Sequence, residues 1–332
     1  MFKEVSMPNH ETLKDFYKNK SVLVTGGAGF IGSNLVDKLV DLGAKVTVFD
    51  DFSTGKFENL EKSLNKIRLI IGDITSQNNC AQALEGQKIV FHLAAKTSIS
   101  KSENELSTSW KINVNGTEEL LKQCRNISAF VFSSSAAVYG NRQDICKEID
   151  PKNPISKYGQ SKAIGEELCK QYERQYNLKT VILRYFNVVG DRQDKGEADS
   201  SAVVKFTKNI TNGTKLTIFG DGNQLRDFVN VSKVVQANIL TAAYCDKNQF
   251  NVFNVANGKS ITILELIKQL EQNLGIKCRE IEHKPANNSD IFSSLASCSK
   301  YNNFVEKIID YLDGDTKDDF IKSNINLYSN SP

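Results

Sequence analysis

The sequence predicts an α/β fold, in which a doubly wound parallel sheet is followed by a smaller mixed α/β lobe at the C-terminus. The first observation is a glycine-rich turn, Gly26 to Gly32, that follows a buried strand and begins a helix. The second is the regular alternation of apolar strands and helices from Ser21 onward. Because such alternation implies right-handed crossovers between parallel strands, the strands should share one Rossmann-type sheet.

The predicted elements follow one another at short intervals. Strands are predicted at 21–25, 45–49, 67–71, 88–93, 128–133 and 179–184. Helices are predicted near 31–42, 56–64, 76–84, 104–125 and 157–176. After Asn187 the alternation breaks, and the second lobe is predicted to contain helices at 201–212, 231–244 and 262–274, strands at 216–219 and 251–255, and irregular C-terminal pieces.

This change of pattern divides the chain into three parts. Residues 1–20 form an N-terminal helical extension. Residues 21–186 are predicted to form a nucleotide-binding Rossmann domain. Residues 187–332 are predicted to form mainly a substrate-binding lobe, from which segments near 228–256 are predicted to return to the first domain.

The glycine turn has the chemistry of a dinucleotide site. Gly26 permits a tight turn, Gly29 lets a pyrophosphate approach the backbone, and Gly32 lets the helix pack on the strand. The phosphates would then lie at the positive end of the helix. The next strand ends in Asp50, where an acid binds ribose hydroxyls and repels a 2′-phosphate. The predicted cofactor is therefore NAD.

Composition excludes several other classes. The net charge of the 332 residues is only +3 and the basic residues are dispersed, so nucleic acid is not an expected partner. The sequence contains neither an apolar run of ~18 residues nor the apolar core of a signal peptide, so no membrane partner is expected. Seven cysteines without C-x-x-C spacing indicate reduced thiols in a cytoplasm, and three widely separated histidines argue against a zinc site.

Tyr158 and Lys162 are candidate catalytic residues. Four residues apart on a helix, their side chains lie on one face. A free tyrosine has a pKa near 10, and a nearby lysine and a cationic nicotinamide would both lower it toward the range of a useful base. After a glycine-rich nucleotide turn, this spacing favours catalysis over an ordinary helix surface.

A serine triplet, Ser133 to Ser135, follows directly on an apolar strand. Ligands of open parallel sheets bind at the carboxyl ends of the strands, so these hydroxyls should face the site. One of them can hydrogen-bond the reacting substrate oxygen. The alternative is a serine-rich turn that caps the next segment, which would account for one or two of the hydroxyls.

Together the motifs resemble the extended short-chain dehydrogenases/reductases of the NAD-dependent epimerase/dehydratase family, with the greatest likeness to UDP-glucose and UDP-N-acetylglucosamine 4-epimerases. The motifs span roughly residues 20–300. They are Thr25–Gly32, Asp50–Gly55, Gly72–Ile74, His92–Ala95, Asn113–Thr117, Ser133–Gly140, Tyr158–Lys162, Arg184–Gly190, Phe219–Gly222 and Arg226–Val229.

The resemblance implies an isomerase that uses NAD as a prosthetic group for polysaccharide or glycoconjugate precursors. Tyr158 would take the proton of the sugar 4-hydroxyl while NAD removes and returns the hydrogen at C4 through a 4-keto sugar. Lys162 would lower the pKa of Tyr158 and hold the nicotinamide ribose. Ser135 would bridge Tyr158 and the 4-oxygen. Two helices, 104–125 and 157–176, would form a homodimer interface, although their apolar stretches could equally belong to the core of one subunit.

The resemblance also implies two sets of binding residues. Those expected at the cofactor are Gly26, Gly29, Phe30, Ile31, Gly32, Asp50, Asp51, Ser53, Thr54, Gly55, Asp73, Ile74, Leu93, Ala94, Ala95, Asn113, Ser133, Tyr158, Lys162 and Tyr185. Those expected at the substrate are Ser134, Ser135, Asn187, Phe219, Arg226, Asp290 and Ser294. Among these, Asn187 and Arg226 would hold the diphosphate, and Phe219 would lie near the uracil.

The sequence departs from the family pattern at three places. Relatives usually carry an arginine where this chain has Asn287 to Asp290, so one clamp on the diphosphate is missing unless Lys284 or another basic residue substitutes. Ser232 and Lys233 replace a pair of aspartates. Lys157 stands where a proline commonly precedes the tyrosine.

Several related activities compete with 4-epimerisation of a hexose. A 4,6-dehydratase or a decarboxylase would need ionisable side chains where this chain has Ala136 and Ala137. A uronic acid 4-epimerase stays open, as does a regulator that binds NAD without turnover. Small Ser294 lies where the family places a residue beside the sugar 2-substituent, so an N-acetyl group should fit. UDP-GlcNAc and UDP-GalNAc are therefore expected as substrates, with UDP-glucose and UDP-galactose as further candidates.

Overall fold

The structure is a computed structural model that describes residues 12–97, 103–124, 126–193, 201–244, 250–286 and 292–311. The strands are β1 (Ser21–Thr25), β2 (Lys45–Asp50), β3 (Ile67–Ile71), β4 (Ile89–His92), β5 (Ala129–Ser135), β6 (Thr180–Tyr185), β7 (Asn187–Val189), β8 (Leu216–Phe219), β9 (Leu225–Asn230), β10 (Asn251–Val255), β11 (Ser260–Thr262), β12 (Ile281–Lys284) and β13 (Ser293–Ser294). The α-helices are α1 (Leu13–Tyr17), α2 (Phe30–Asp41), α3 (Gln77–Leu84), α4 (Glu103–Trp110), α5 (Thr117–Gln123), α6 (Lys157–Tyr176), α7 (Ala202–Thr211), α8 (Val231–Tyr244), α9 (Ile263–Leu274) and α10 (Ser299–Tyr311).

Seven parallel strands form the central sheet in the order β10-β6-β5-β4-β1-β2-β3. The order reverses between β1 and β4, which is where ligands bind in sheets of this kind. All six strands predicted from Ser21 to residue 184 lie in this sheet. The predicted doubly wound α/β fold is therefore confirmed.

Two apolar layers cover the sheet. Side chains alternate along each strand, so Val22 and Val24 pack in the layer with α2 and α8, whereas Leu23 packs in the layer with α3, α5 and α6. All three are fully buried. Each such side chain stabilises the fold by about 1.5–3 kcal/mol. Among the described helices, none is long and apolar enough to cross a bilayer.

Helix α6 packs unusually closely on β5. A Cβ atom at Gly165 would lie 2.4 Å from the Phe132 ring, so glycine is required for this approach. The contact brings the N-terminal half of α6 to the carboxyl end of β5. Tyr158 and Lys162 thereby reach the same edge of the sheet as the serine triplet.

Three predictions of local structure need correction. The helix expected near 56–64 is two 3-10 turns, Phe57–Leu60 and Leu64–Lys66, and no described side chain caps either. The helix expected at 104–125 is α4 and α5 joined by a π-helical turn, Lys111–Gly116. Helix α10 was expected to be irregular, although its buried Tyr301, Val305 and Ile308 recur at helical spacing.

The N-terminal extension is anchored by one turn of helix. α1 has five residues, and its Leu13 and Tyr17 are both buried. The Tyr17 hydroxyl donates a hydrogen bond of 2.9 Å to the carbonyl of Ile239 on α8. Helix α1 is therefore packed in the same layer as α2 and α8.

The C-terminal lobe is built around β9. This strand pairs with β7, β11 and β13, while β8 and β12 form a separate parallel pair. Helices α7 and α9 share an apolar cluster with β8. α9 begins with a capping box in which the Thr262 and Glu265 side chains bind each other's backbone N–H groups.

Asp227 on β9 joins three segments of this lobe. Its fully buried carboxylate accepts N–H groups from Asn257 (2.8 Å), Gly258 (2.9 Å) and Ala296 (3.5 Å). Burial nevertheless raises the pKa of Asp227 to about 6 from an ordinary value of 3.8. Folding therefore favours the protonated form.

We expect Asp227→Asn to remove a defined part of the pH dependence of stability. A raised pKa contributes stability that is present below pH 4 and lost as pH rises through about 6. The shift corresponds to about 3 kcal/mol. Urea unfolding at intervals from pH 3.5 to 7 should show that the free energy of unfolding falls less steeply in the variant than in the wild type. Equal slopes in the two proteins would contradict this assignment.

Candidate active site

The turn after β1 leaves no space for side chains at Gly26 and Gly32. Gly26 has a φ of +67°, and a Cβ there would lie 2.7 Å from the backbone nitrogen of Ala94. A Cβ at Gly32 would lie 2.1 Å from the carbonyl oxygen of Gly26. No described side chain caps the following helix at Gly29. The first backbone N–H groups of α2 are therefore left for a ligand.

Asp50 at the end of β2 supports this turn. One carboxylate oxygen accepts the N–H of Ala28 and the other accepts the N–H of Phe52, both at 2.9 Å. Burial raises the pKa of Asp50 above its ordinary value, and these two N–H groups oppose the rise. Each oxygen retains a lone pair, so the carboxylate can still accept hydroxyl groups.

A cavity of about 570 Å³ lies at the carboxyl ends of the strands, next to the glycine turn and Asp50. Most of the predicted cofactor residues line it, namely Gly26, Gly29, Phe30, Ile31, Gly32, Asp50, Asp51, Ser53, Thr54, Gly55, Ile74, Leu93, Ala94, Ala95, Ser133, Tyr158, Lys162 and Tyr185. The sequence did not indicate further lining residues, which include Phe49, Gly72, Lys96, Thr97 and Ile112. The glycine cradle and the acid beside it fit a dinucleotide such as NAD.

Two predicted cofactor residues, Asn113 and Asp73, stand outside this lining. Asn113 is buried, and its amide accepts the N–H of Lys96 at 2.8 Å while donating to the Lys96 carbonyl and the Ser161 hydroxyl. Asn113 therefore stabilises the cavity wall through the backbone of Lys96, without lining the cavity itself. The Asp73 carboxylate accepts the N–H of Thr75 at 2.8 Å.

Tyr158 and Lys162 lie on the first turns of α6, which the Ser156 hydroxyl caps through the N–H of Gly159. Burial raises the pKa of Tyr158 to about 12, against the effect of a hydrogen bond with Ser135. That Lys162 lowers this pKa stays a prediction. The Lys162 ammonium donates to the carbonyl of Ser133 at 2.8 Å, and it lies 5.9 Å from the centre of the Tyr158 ring.

Burial also acts on the Lys162 ammonium, whose pKa falls to about 8. The nearby Cys169 and Glu166 oppose this fall. Lys162 is thus close to losing its proton at mildly alkaline pH. The pKa of a partly desolvated cation of this kind changes strongly with any neighbouring charge.

The three serines have three different environments. The Ser133 hydroxyl is 3.0 Å from the hydroxyl of Tyr185, which itself bonds to Asn238. Ser135 accepts the N–H of Ala137 at 3.2 Å, so it caps the 3-10 turn Ala136–Tyr139 as well as contacting Tyr158. Only this hydroxyl combines the cap with a contact to the candidate base.

Ser134 lines the cavity, and its hydroxyl is hydrogen-bonded within the protein. Its side chain is 2% exposed, and its hydroxyl donates a hydrogen bond of 2.6 Å to Glu166 on α6. Glu166 was not among the predicted residues, although its spacing of four from Lys162 could have indicated it. The hydroxyl proton of Ser134 is therefore engaged inside the protein.

Two of the expected substrate residues in the C-terminal lobe, Asn187 and Ser294, are in contact. Asn187 donates to the carbonyl of Asp227 (3.1 Å) and to the Ser294 hydroxyl (3.4 Å). Ser294 on β13 lies opposite Arg226 on β9. Phe219, at the end of β8, is 51% exposed. Asp290 and the neighbouring Asn287 lie outside the described residues.

The family of the chain follows from comparison with known proteins. The model of the family described as "NAD dependent epimerase/dehydratase family" matches residues 22–256. A UDP-N-acetylglucosamine 4-epimerase from Methanobrevibacter ruminantium M1, solved in complex with UDP-N-acetylmuramic acid, is 37% identical with a TM-score of 0.81. The match covers 86% of this chain and 92% of that one.

Two further solved structures show the same fold. The UDP-glucose 4-epimerase of Thermotoga maritima with UDP-glucose is 35% identical with a TM-score of 0.80, and the match covers 85% of this chain and 91% of that one. A UDP-glucuronic acid 4-epimerase from Bacillus cereus, in complex with UDP-glucuronic acid and NAD, is 27% identical with a TM-score of 0.80, over 91% and 99% of the two chains. All three are named as 4-epimerases, which are isomerases. The predicted cofactor, NAD, is confirmed, and the chain belongs to the NAD-dependent epimerase/dehydratase family.

Proposed function

We propose that this protein catalyses the NAD-dependent 4-epimerisation of UDP-sugars, with UDP-GlcNAc and UDP-GalNAc as the preferred pair. The observation that carries the proposal is the contact between Ser135 and Tyr158 beside the dinucleotide cavity, with the Lys162 ammonium on the same helix face. The reaction would supply precursors of polysaccharides or glycoconjugates. In this assignment the domain of residues 21–186 holds the cofactor, and the lobe of residues 187–332 mainly holds the nucleotide sugar.

Each catalytic side chain has one task. The Ser135 hydroxyl orients the sugar 4-oxygen, and Tyr158 takes and returns the proton of that oxygen. Lys162 contributes positive charge on the same face and a donor for ribose hydroxyls. NAD, when bound, supplies the hydride-transfer chemistry and a positive charge that favours the tyrosine phenolate over the phenol.

The residues after the triplet support epimerisation over elimination. A 4,6-dehydratase would need an acid and a base near C5 and C6 of the sugar. Ala136 and Ala137 form the 3-10 turn directly after Ser135, and neither can transfer a proton. These two residues therefore provide no acid or base for chemistry at C5 and C6.

The size of Ser294 supports an N-acetylhexosamine as the substrate. Ser294 is 8% exposed and within hydrogen-bond distance of Asn187, one of the proposed diphosphate ligands. A small hydroxyl side chain beside the sugar 2-position leaves volume for an acetamido group and can bond its amide. The similarity to the Methanobrevibacter UDP-N-acetylglucosamine 4-epimerase points the same way.

A uronic acid 4-epimerase is the second candidate. The specific observation is the TM-score of 0.80 to the Bacillus cereus UDP-glucuronic acid 4-epimerase over 91% of this chain. Incubation with UDP-GlcNAc, UDP-glucose and UDP-glucuronic acid, with the C4 configuration followed by NMR, separates the two candidates. Preference for UDP-glucuronic acid would replace the first proposal by the second.

Tyr158→Phe should abolish turnover while leaving the protein intact. The substitution removes only the hydroxyl, so the NAD content should remain and the epimerisation rate should fall at least ~10²-fold. Tyr176→Phe is the matched control, because Tyr176 ends the same helix and is 68% exposed. Turnover near that of the wild type would refute the role of Tyr158. Bound NAD without turnover of any UDP-sugar by the wild type would indicate a regulator instead.

Ser294→Tyr should reverse the substrate preference. The larger side chain would occupy the space of the acetamido group, so kcat/KM for UDP-GlcNAc should fall at least ~10²-fold while activity on UDP-glucose persists. Ser294→Ala is the control for size, and it should retain activity on UDP-GlcNAc. If Ser294→Tyr still converts UDP-GlcNAc, the residue does not limit the sugar. If the native enzyme converts only plain hexoses, the proposed preference is wrong.

A further inference from the structure

Three consecutive residues of β5 each contact a different residue of α6. The carbonyl of Ser133 accepts the Lys162 ammonium at 2.8 Å, and the Ser134 hydroxyl donates to Glu166 at 2.6 Å. Ser135 bonds to Tyr158. Tyr158, Lys162 and Glu166 are spaced by four residues, so they lie on one helix face. The two proposed catalytic contacts thus flank a third contact that no catalytic role explains.

Glu166 is also held by the neighbouring strand. Arg184 on β6 donates to both of its carboxylate oxygens, through Nε at 2.9 Å and Nη2 at 2.8 Å. Ser134 and Arg184 are opposite residues in the register of β5 and β6. One carboxylate on α6 therefore binds the ends of two adjacent strands. This bidentate geometry fixes direction as well as distance.

Burial restricts the motion of Glu166 and Arg184 relative to each other. The side chains of Glu166 and Arg184 are 3% and 4% exposed. Burial alone would raise the pKa of Glu166, but Arg184, the Ser134 hydrogen bond and the charge of Lys152 together outweigh it, so the pKa lies below its ordinary value. Glu166 is therefore ionised at neutral pH. Lys152 also pairs with Glu166 at 3.3 Å, but only Arg184 binds both carboxylate oxygens. Separation of Glu166 from Arg184 would leave a buried guanidinium without its carboxylate, which favours one geometry.

The network continues beyond Arg184 into the C-terminal lobe. Arg184 donates to the Tyr139 hydroxyl at 2.9 Å, which donates to the Asn254 side chain at 2.6 Å. Asn254 in turn donates to the carbonyls of Cys146 (2.9 Å) and Ser297 (3.3 Å). The ion pair is thus fixed from the side of α6 and from the segment that follows Ser294.

We propose that Glu166 is a positioning residue for the 4-epimerase reaction, which holds α6 on β5 and β6 through Ser134 and Arg184 and so sets the distance between Tyr158 and Ser135. The inference rests on the proposed function. It also reassigns Ser134 from a substrate ligand to a structural link, because the Ser134 hydroxyl donates its hydrogen bond to Glu166. The two roles differ in kinetics. Loss of a ligand raises KM, whereas loss of alignment lowers kcat at nearly constant KM.

Ser134→Ala is the variant that tests the link, and Ser63→Ala is its matched control. Ser63 is 2% exposed and donates to the carboxylate of Asp37, which pairs with Arg192 at 2.6 Å. The control thus deletes the same hydroxyl from a serine–carboxylate–arginine group away from the cavity, in which Arg192 is 25% exposed where Arg184 is 4% exposed. Both variants should lose Tm, and Ser134→Ala should lose more.

The kinetic result should differ between the two. Small misalignment of reacting groups costs large factors in rate, so kcat of Ser134→Ala should fall about tenfold with KM for UDP-GlcNAc within about twofold. Ser63→Ala should keep the wild-type kcat. Glu166→Gln should lower kcat further, because it also breaks the pair with Arg184. Unchanged kcat in Ser134→Ala, or a raised KM at constant kcat, would overturn the proposal.

A crystal structure of Ser134→Ala gives a second readout that needs no substrate. We expect the Tyr158 hydroxyl to have moved out of hydrogen-bond distance of Ser135. A contact preserved as in the wild type would overturn the positioning role even if the enzyme proved inactive on every UDP-sugar. Inactivity of the wild type alone would refute the proposed function and leave the displacement of Tyr158 to decide the role of Glu166.

Discussion

The close packing of α6 on β5 at Gly165 is the constraint on which the rest of the site depends. A glycine inside a helix costs about 0.5–1 kcal/mol relative to alanine. Here the smaller residue is required, since any Cβ would overlap the Phe132 ring at 2.4 Å. The approach allows a buried lysine, a buried glutamate and a tyrosine of one helix to reach one strand end. At the larger separation that a side chain would impose, the contacts of 2.6 and 2.8 Å to the serine triplet could not all form.

The hydrophobic pattern of the sequence was sufficient to predict the central sheet. It predicted the strands of the C-terminal lobe much less well. β-branched and aromatic runs such as that of β5 have only one favourable environment, a buried parallel strand. The strands around β9 are short and half-buried, and their pairing depends on partners far away in sequence, such as the N–H groups that Asp227 collects. The segment after Gly55 shows the opposite difficulty. Its apolar spacing is helical, but without caps it forms only 3-10 turns.

The candidate site shows the same division between chemistry and geometry. Glycine spacing and Asp50 predicted a dinucleotide cavity because turn geometry and charge are local properties. Three adjacent serines, by contrast, are equivalent in the sequence, and only the structure shows that Ser134 binds Glu166 while Ser135 binds Tyr158. The pKa of Tyr158 is a similar case. Spacing places an ammonium on its helix face, but not the carbonyl of Ser133 that takes the ammonium's hydrogen bond.

The four-residue spacing of Tyr158, Lys162 and Glu166 has a consequence for how this segment can change over evolutionary time. An α-helix turns by about 100° per residue, so one inserted or deleted residue would rotate everything after it away from β5. Exchanges of outward-facing residues leave that rotation untouched. Divergence among proteins built this way should therefore accumulate as substitutions between Tyr158 and Glu166, and differences in length should appear only beyond the ends of the segment. Between Tyr158 and Glu166 the number of residues should therefore be retained as strictly as their identity.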